Sequence, residues 1–215
     1  MFICKRNIIK GPARTCFRGG FTLVELLVTI SIFVILTGVV LFNQSKFNST
    51  ILLKNLAYDT ALTIRQAQTY GINIKEFNTG AVGAQDQFVP YGVHFDKNQA
   101  DKSFILFADT KFDLTNPTAL TVFTGAVGAC NPSEGCVNRY SIKRGNYISG
   151  LCVEDSSGCS SVNTLDIIFR RPNPDAKIFG DGEDDKTGAV ITLMGADNTS
   201  TTSVRVQANG LIEIK

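Results

Sequence analysis

The apolar run that follows Glu25 constrains this 215-residue chain more than any other feature. The 17 residues from Leu26 to Phe42 include no charged side chain, and Glu25 stands as a lone carboxylate where the run begins. That length is at the short end for a membrane-spanning helix, which needs about 20 apolar residues. A charge at the rim of such a span is costly in lipid, so we expect Glu25 to have a function and a partner.

A basic segment precedes the run and ends in two glycines, Gly19 and Gly20. It contains no acidic residue, and its basic residues are Lys5, Arg6, Lys10, Arg14 and Arg18. A secretory signal peptide is cut after its apolar region, next to small residues. Here the small residues come before the apolar region, so cleavage after Gly20 would leave that region on the mature protein.

The segment Gly20-Phe21-Thr22-Leu23-Val24-Glu25 resembles the processing site of type IV prepilins and pseudopilins. The resemblance implies that residues 1–20 are a leader, and that a prepilin peptidase cuts between Gly20 and Phe21 and methylates the new amine. It also implies assembly with other pilins into a helical filament. Gly20 suits the peptidase because a residue without a side chain lets the backbone lie extended in a narrow active site.

Cleavage would place the Phe21 amine and the Glu25 carboxylate one helical turn apart. Either charge buried alone in an apolar bundle would cost several kcal/mol. One interpretation pairs Glu25 of one subunit with the Phe21 amine of the subunit already assembled, which would fix the register. The other has Glu25 neutralise the N-terminus of its own helix, where the dipole favours a carboxylate. We favour the pairing between subunits.

Charge predicts the orientation of the chain. Lysine and arginine stay on the cytoplasmic side of a membrane, so the chain after Phe42 should lie outside the cell's inner (cytoplasmic) membrane, with a single span. Without the five basic residues of the leader, 16 of the 21 remain against 19 acidic residues, and 16 − 19 gives −3. This charge argues against general binding of nucleic acid, which needs a concentrated basic surface.

Four cysteines remain after the leader, Cys130, Cys136, Cys152 and Cys159. An even number in an exported domain predicts two disulfides. Three pairings are open, and we favour Cys130–Cys136 and Cys152–Cys159 because each closes a short loop. A zinc site of four thiolates is the alternative, although structural zinc prefers closer pairs than the C-x5-C and C-x6-C spacings here.

The hydrophobic pattern predicts an α+β fold. A helix over residues 21–44 crosses the membrane, and an amphipathic continuation over 45–73 packs on an antiparallel β-sheet within a globular domain of residues 45–215. The β part should begin near residue 86, and Asn209-Gly210 between two alternating runs indicates a hairpin. The predicted strands are 88–95, 103–108, 119–123, 139–143, 147–153, 164–170, 189–194, 203–207 and 211–215.

A second resemblance covers residues 45–215. The amphipathic helix, the run Leu165-Asp166-Ile167-Ile168-Phe169-Arg170-Arg171-Pro172 and the final Asn209-Gly210 hairpin resemble H-type minor pseudopilins (GspH) and FimT-like minor pilins. This implies a C-terminal β-sandwich on the helix. The chain lacks the proline that many major pilins have near the outer end of the span, and only Gly38 interrupts the helix formers there.

The sequence indicates a structural subunit and not an enzyme. His94 is the single histidine and fits a strand, and no G-x-S-x-G, H-E-x-x-H or phosphate-binding Gly-Lys motif occurs. We expect no cofactor, with calcium on the acidic turn as the alternative, through Asp181, Glu183 and Asp185.

Two functions remain from the sequence. The first is a minor pilin or pseudopilin of a type IV pilus or a type II secretion pseudopilus. The alternative is a FimT-like minor pilin that binds DNA in natural transformation. Its candidate contacts are Lys143, Arg144, Arg170 and Arg171.

Overall fold

The computed structural model describes residues 20–73, 75–77, 89–111, 120–125, 128, 130–183 and 186–215, with the side chains of residues 42–47 and of residue 100 left aside. The predicted leader therefore lies outside the described residues except for Gly20. The chain divides into two compact units, Met1–Gln44 and Ser45–Lys215.

The expected α+β fold is confirmed. Helix α1 spans Leu23–Ile72 and a short helix, α2, spans Lys97–Ala100. A 3-10 turn covers Pro132–Glu134. The strands are β1 Tyr91–Asp96, β2 Ser103–Ala108, β3 Cys136–Ser141, β4 Tyr147–Asp155, β5 Gly158–Val162, β6 Thr164–Phe169, β7 Ala176–Gly180, β8 Gly188–Met194, β9 Thr201–Gln207 and β10 Ile212–Ile214.

The strands form two five-stranded antiparallel sheets. The first sheet has the order β3-β2-β1-β6-β7, and the second has the order β10-β9-β8-β4-β5. Adjacent strands β1 and β6 pair with Val93 opposite Ile167. In the second sheet β4 and β8 pair with Leu151 opposite Ile191. Each of these pairs directs apolar side chains into the interior.

One core joins the globular part of α1 to both sheets. The buried face of the helix presents Leu53, Ala57, Ile64 and Ala67, whose spacing is that of one helical face. Small alanines let the helix lie close to the sheets, while larger side chains from the strands fill the space around them. The strand residues of this core include Phe95, Phe104, Leu165, Ile148, Leu151, Ile191 and Val204.

The outer face of the first sheet is covered by the segment 120–125. Phe123 packs there with Phe107, Ile168 and Phe179 in a second apolar cluster. A strand was predicted over 119–123, but the described part of this segment has no strand pairing. Its backbone bonds to side chains instead, since Thr121 N–H donates to Asp109 at 2.9 Å. The periodicity of the sequence alone does not distinguish a backbone that pairs with a strand from one that hydrogen-bonds to side chains.

Two strands were missed, β5 and β7. β5 reads Gly-Cys-Ser-Ser-Val, and its first four residues are exposed, so it has no apolar alternation to recognise. Both strands lie at sheet edges, where one partner is enough. The predicted final hairpin is present: β9 and β10 pair with Val206 opposite Ile212, and Gly210 has the positive φ of 82° that the turn requires.

Candidate functional site

The start of helix α1 is fixed by a side-chain cap. The Oγ1 of Thr22 accepts a hydrogen bond from the backbone N–H of Glu25 at 3.2 Å. The first helical backbone bond follows, from Leu26 N–H to the Thr22 carbonyl at 3.1 Å. Thr-x-x-Glu is the pattern of a capping box, in which the first side chain satisfies a free N–H of the first turn. Sequence reasoning missed Thr22, although this pattern was there to find it.

The cap leaves the Glu25 carboxylate free. Thr22 serves the N–H of Glu25, while the carboxylate itself has no hydrogen bond or ion pair among the described residues. Glu25 is exposed, and Phe21 is 73% exposed. A Cβ built on Gly20 would meet no atom within 4 Å. The candidate cleavage bond therefore lies on open backbone, one helical turn before an unpaired carboxylate.

The helix that follows is apolar on all sides. The stretch Leu23–Leu41 has a mean hydropathy of 2.6, is long enough to cross a membrane and contains no buried residue. Hydroxyl groups within it are satisfied by the helix: Thr29 donates to the Leu26 carbonyl and Thr37 to the Phe33 carbonyl, at 2.9 and 2.7 Å. Such internal bonding is what an apolar solvent requires of polar groups.

The globular part of α1 also has apolar side chains on its outer surface. Ile51, Tyr58 and Leu62 are 41%, 64% and 65% exposed. Their spacing of seven and four residues places them on one face, which we call the outer stripe. Beside it lies a groove of about 310 Å³ between the helix and the first sheet. Leu56, Phe104, Tyr140 and Ile142 contribute its apolar lining.

The four cysteines form two disulfides, Cys130–Cys136 and Cys152–Cys159. This is the pairing favoured from the sequence. The first bond closes the loop that contains the 3-10 turn, and the second joins β4 to β5 across their hairpin. With all four sulfurs in disulfides, none is left as a thiolate for the alternative zinc site.

Two of the three carboxylates predicted as possible calcium ligands form contacts within the protein. Oδ1 of Asp181 accepts the backbone N–H groups of Asn163 and Thr164 at 3.0 and 2.8 Å. Glu183 forms an ion pair with Lys186 at 3.3 Å. Asp185 lies outside the described residues. No group of three or more possible metal ligands occurs within the described ranges.

The basic residues predicted as possible DNA contacts fall into two groups. The first is the pair Lys143 and Arg144, which precedes β4. The next residue, Gly145, packs against Ala196 in the turn between β8 and β9. The preceding residue of that turn approaches Ser49 of α1. This pair therefore lies near the Ser49 end of the globular unit.

The second group, Arg170 and Arg171, lies near the opposite end. These residues follow Phe169, whose backbone packs against Gly71 of α1. Ser49 and Gly71 are separated by about 33 Å along the helix axis, from the rise of 1.5 Å per residue. The four candidate DNA contacts therefore do not make one continuous surface. Arg170 and Arg171 instead line a pocket with Lys177.

His94 lies in β1, as expected, and it is buried. Its Nδ1 is 2.9 Å from Oδ1 of Asp166 on β6, and Phe123 N–H donates to the same oxygen at 3.4 Å. The rings of His94 and Phe123 lie 5.2 Å apart. Burial raises the pKa of Asp166 despite the adjacent His94. This arrangement holds the 120–125 segment on the sheet and leaves His94 enclosed.

Comparison with known proteins gives one positive result. The family model of the prokaryotic N-terminal methylation motif matches residues 17–41. No curated protein matches the chain. No solved structure matches it either. The matched motif covers the capped helix start, the Glu25 carboxylate and the apolar helix described above.

Proposed function

We propose that this chain is a minor pilin or pseudopilin, a structural subunit of a type IV pilus or a type II secretion pseudopilus. A prepilin peptidase cuts it after Gly20 and methylates Phe21, and the mature chain joins the filament through α1. The observation that carries this proposal is an exposed Glu25 carboxylate, without a partner among the described residues, at the start of an unburied apolar helix that matches the methylation motif.

The proposed assembly step is a pairing of charges. Cleavage creates an amine on Phe21, and the carboxylate of Glu25 on an incoming subunit meets the amine of a subunit already in place. The Glu25 carboxylate forms no hydrogen bond with its own helix among the described residues, so it is available for this pair. A subunit out of register would bury an unpaired charge in apolar surroundings, which costs several kcal/mol.

The outer stripe supports lateral packing in the same assembly. Tyr58 and Leu62 are exposed, and Leu62 also lines the groove beside α1. In the proposed filament these side chains contact neighbouring subunits beyond the membrane. The globular unit lies on the outer side of the cytoplasmic membrane before assembly, where disulfides such as Cys152–Cys159 form.

The H-type minor subunits are the subgroup we favour. An amphipathic helix packed with two antiparallel sheets supports this assignment, as does the closing β9–β10 hairpin. The proposal makes the chain a minor component. Counting its copies relative to the major subunit in purified filaments would test that part separately.

The direct test compares Glu25→Ala with Glu76→Ala in cells that assemble the filament. Glu76 is an exposed carboxylate outside α1 and serves as the matched control. We expect Glu25→Ala to be processed to a chain that starts at Phe21, as mass spectrometry will read, but to be absent from sheared filaments. Glu76→Ala should be processed and incorporated. Normal incorporation of Glu25→Ala would overturn the pairing mechanism.

A further inference from the structure

The connection between β6 and β7 gathers basic side chains around a pocket of about 140 Å³. Its lining residues are Arg170, Arg171, Pro172, Asn173, Asp175 and Lys177. Three cations face one carboxylate here, although the chain after the predicted leader has a net charge of 16 − 19, or −3. The basic character of the pocket is therefore local and does not follow from the overall composition.

Sheet register brings two of these cations together. In the pairing of β6 with β7, Ile168 lies opposite Lys177 and Phe169 opposite Ala176. Arg170 directly follows Phe169 at the end of β6, and Lys177 directly follows Ala176 in β7, so both residues lie at the same end of this strand pair and line the pocket. Neither Arg170 nor Lys177 forms an ion pair or a side-chain hydrogen bond with any residue that the structure describes. Both cations are free to bind a ligand.

The backbone of the pocket is held in place from outside. The side-chain amide of Gln68 on α1 donates to the Pro174 carbonyl at 3.0 Å and to the Gly210 carbonyl at 3.3 Å. Ala176 N–H donates to the Ala208 carbonyl at 2.8 Å. The connection is thus tied to the helix and to the β9–β10 hairpin. A pre-organised site loses less conformational entropy when a ligand binds.

We propose that this pocket, the Arg170–Lys177 pocket, binds a phosphate group. A pocket of about 140 Å³ has room for a phosphate group. Guanidinium groups bind the oxygens of phosphate in pairs, and the lysine adds a point charge. The carboxylate of Asp175 repels an anion in the pocket and therefore lowers the affinity of the pocket for phosphate. The phosphate comes from a free anion or from a nucleic-acid backbone, and this binding is independent of filament assembly.

The test uses the full chain in an uncharged detergent, titrated with inorganic phosphate at constant chloride and followed by calorimetry. Lys177→Gln should weaken binding about five- to tenfold. The matched control is Lys143→Gln, which removes an equal charge near the other end of the unit and should leave Kd unchanged. Asp175→Asn should tighten binding about two- to fivefold, an effect that damage to the fold would not produce.

A second titration with short duplex DNA identifies the source. Phosphate binding without DNA binding assigns a free anion, and DNA binding that Lys177→Gln weakens assigns the nucleic-acid backbone. Absence of both at millimolar phosphate would overturn the proposal. Equal affinities of the parent chain and Lys177→Gln would overturn it too, as would weaker binding by Asp175→Asn.

Discussion

Gly71 shows how one residue sets the fit between α1 and the first sheet. A Cβ added to Gly71 would lie 2.8 Å from the carbonyl carbon of Phe169 and 3.1 Å from the Cβ of Phe169. It would lie even closer to the Phe169 carbonyl oxygen. Alanine favours a helix over glycine by about 1 kcal/mol. Forcing a methyl group against backbone costs about 1–3 kcal/mol, so the clash outweighs that preference.

We therefore expect Gly71→Ala to lower the free energy of unfolding by up to about 2 kcal/mol. Thermal unfolding of the purified chain measures the effect. Gly38→Ala is the matched control, because Gly38 lies in the same helix and its added Cβ meets nothing within 4 Å. That variant should not lower the Tm. An unchanged or higher Tm for Gly71→Ala would show that Phe169 can move away.

Asp166 gives the fold a pH dependence. Burial raises its pKa, and the nearby Asp96 carboxylate adds to the rise, whereas His94 and the Phe123 N–H oppose it. Between the unfolded pKa of about 3.9 and the raised folded pKa, the folded chain keeps a proton that the unfolded chain has released. Stability from this group is thus complete below about pH 3.9 and is lost as pH rises through the folded pKa.

Asp166→Asn removes that loss, since the amide oxygen still accepts hydrogen bonds from His94 and Phe123 without ionising. Relative to the parent chain, the Tm of Asp166→Asn should rise as pH increases above about 4. The comparison variant is Asp197→Asn. Bonds from Ser200 and Thr199 lower the pKa of Asp197, so that substitution should cost most at neutral pH and least in acid. A Tm difference for Asp166→Asn that does not change with pH contradicts the assignment.

At the scale of elements, sequence predicts what is local and periodic. Helix α1, the central strands and the β9–β10 hairpin all have clear patterns, and the structure contains them. The 120–125 segment was wrongly predicted as part of a strand, because its backbone donates to Asp109, which directly follows β2, and to Asp166 of β6. Hydrogen-bond acceptors that are distant in the sequence leave no periodic hydrophobic pattern in the segment that they bind.

The outer stripe of α1 gives a prediction for an element surface. Leu62 is 65% exposed, so a charge there should leave the fold intact. In the proposed filament it would face a neighbouring subunit, where an unpaired charge is costly. We expect Leu62→Glu to keep the parent Tm but to reduce the amount of this chain in sheared filaments about tenfold, the equivalent of about 1.4 kcal/mol.

Leu211→Glu is the control for that prediction. Leu211 is also an exposed leucine, at 45%, but it lies outside α1, directly before β10. Its substitution should keep both the Tm and the filament content. Should Leu62→Glu be incorporated as well as Leu211→Glu, the stripe would not be an assembly surface.

At the scale of the whole molecule, the two candidate sites differ in how far sequence could predict them. The proposed processing and assembly region is continuous in sequence, so Gly20, Phe21 and Glu25 could be proposed as its residues from their order alone. The phosphate pocket depends on the register of β6 with β7, which sets Arg170 beside Lys177. Sequence indicated Arg170 and Arg171 but gave no reason to join them to Lys177 or to separate them from Lys143.

Processing should also change the charge of the whole chain. The full sequence has a net charge of +2 and a pI of about 8.2, and the leader accounts for +5 of that charge, so 2 − 5 leaves −3. Isoelectric focusing of membrane extracts should place the parent chain below neutral pH. Gly20→Val should focus at the basic position of the precursor, because a branched side chain hinders extended binding in the peptidase.

Gly11→Val provides the control within the same leader. Gly11 lies nine residues (20 − 11) before Gly20, so we expect this substitution to leave cleavage unaffected. Its product should therefore focus with the acidic parent chain. A parent chain that remains basic in cells with an active prepilin peptidase would contradict processing after Gly20. The Phe21 amine would then not exist, and Glu25 would have no charged partner to meet.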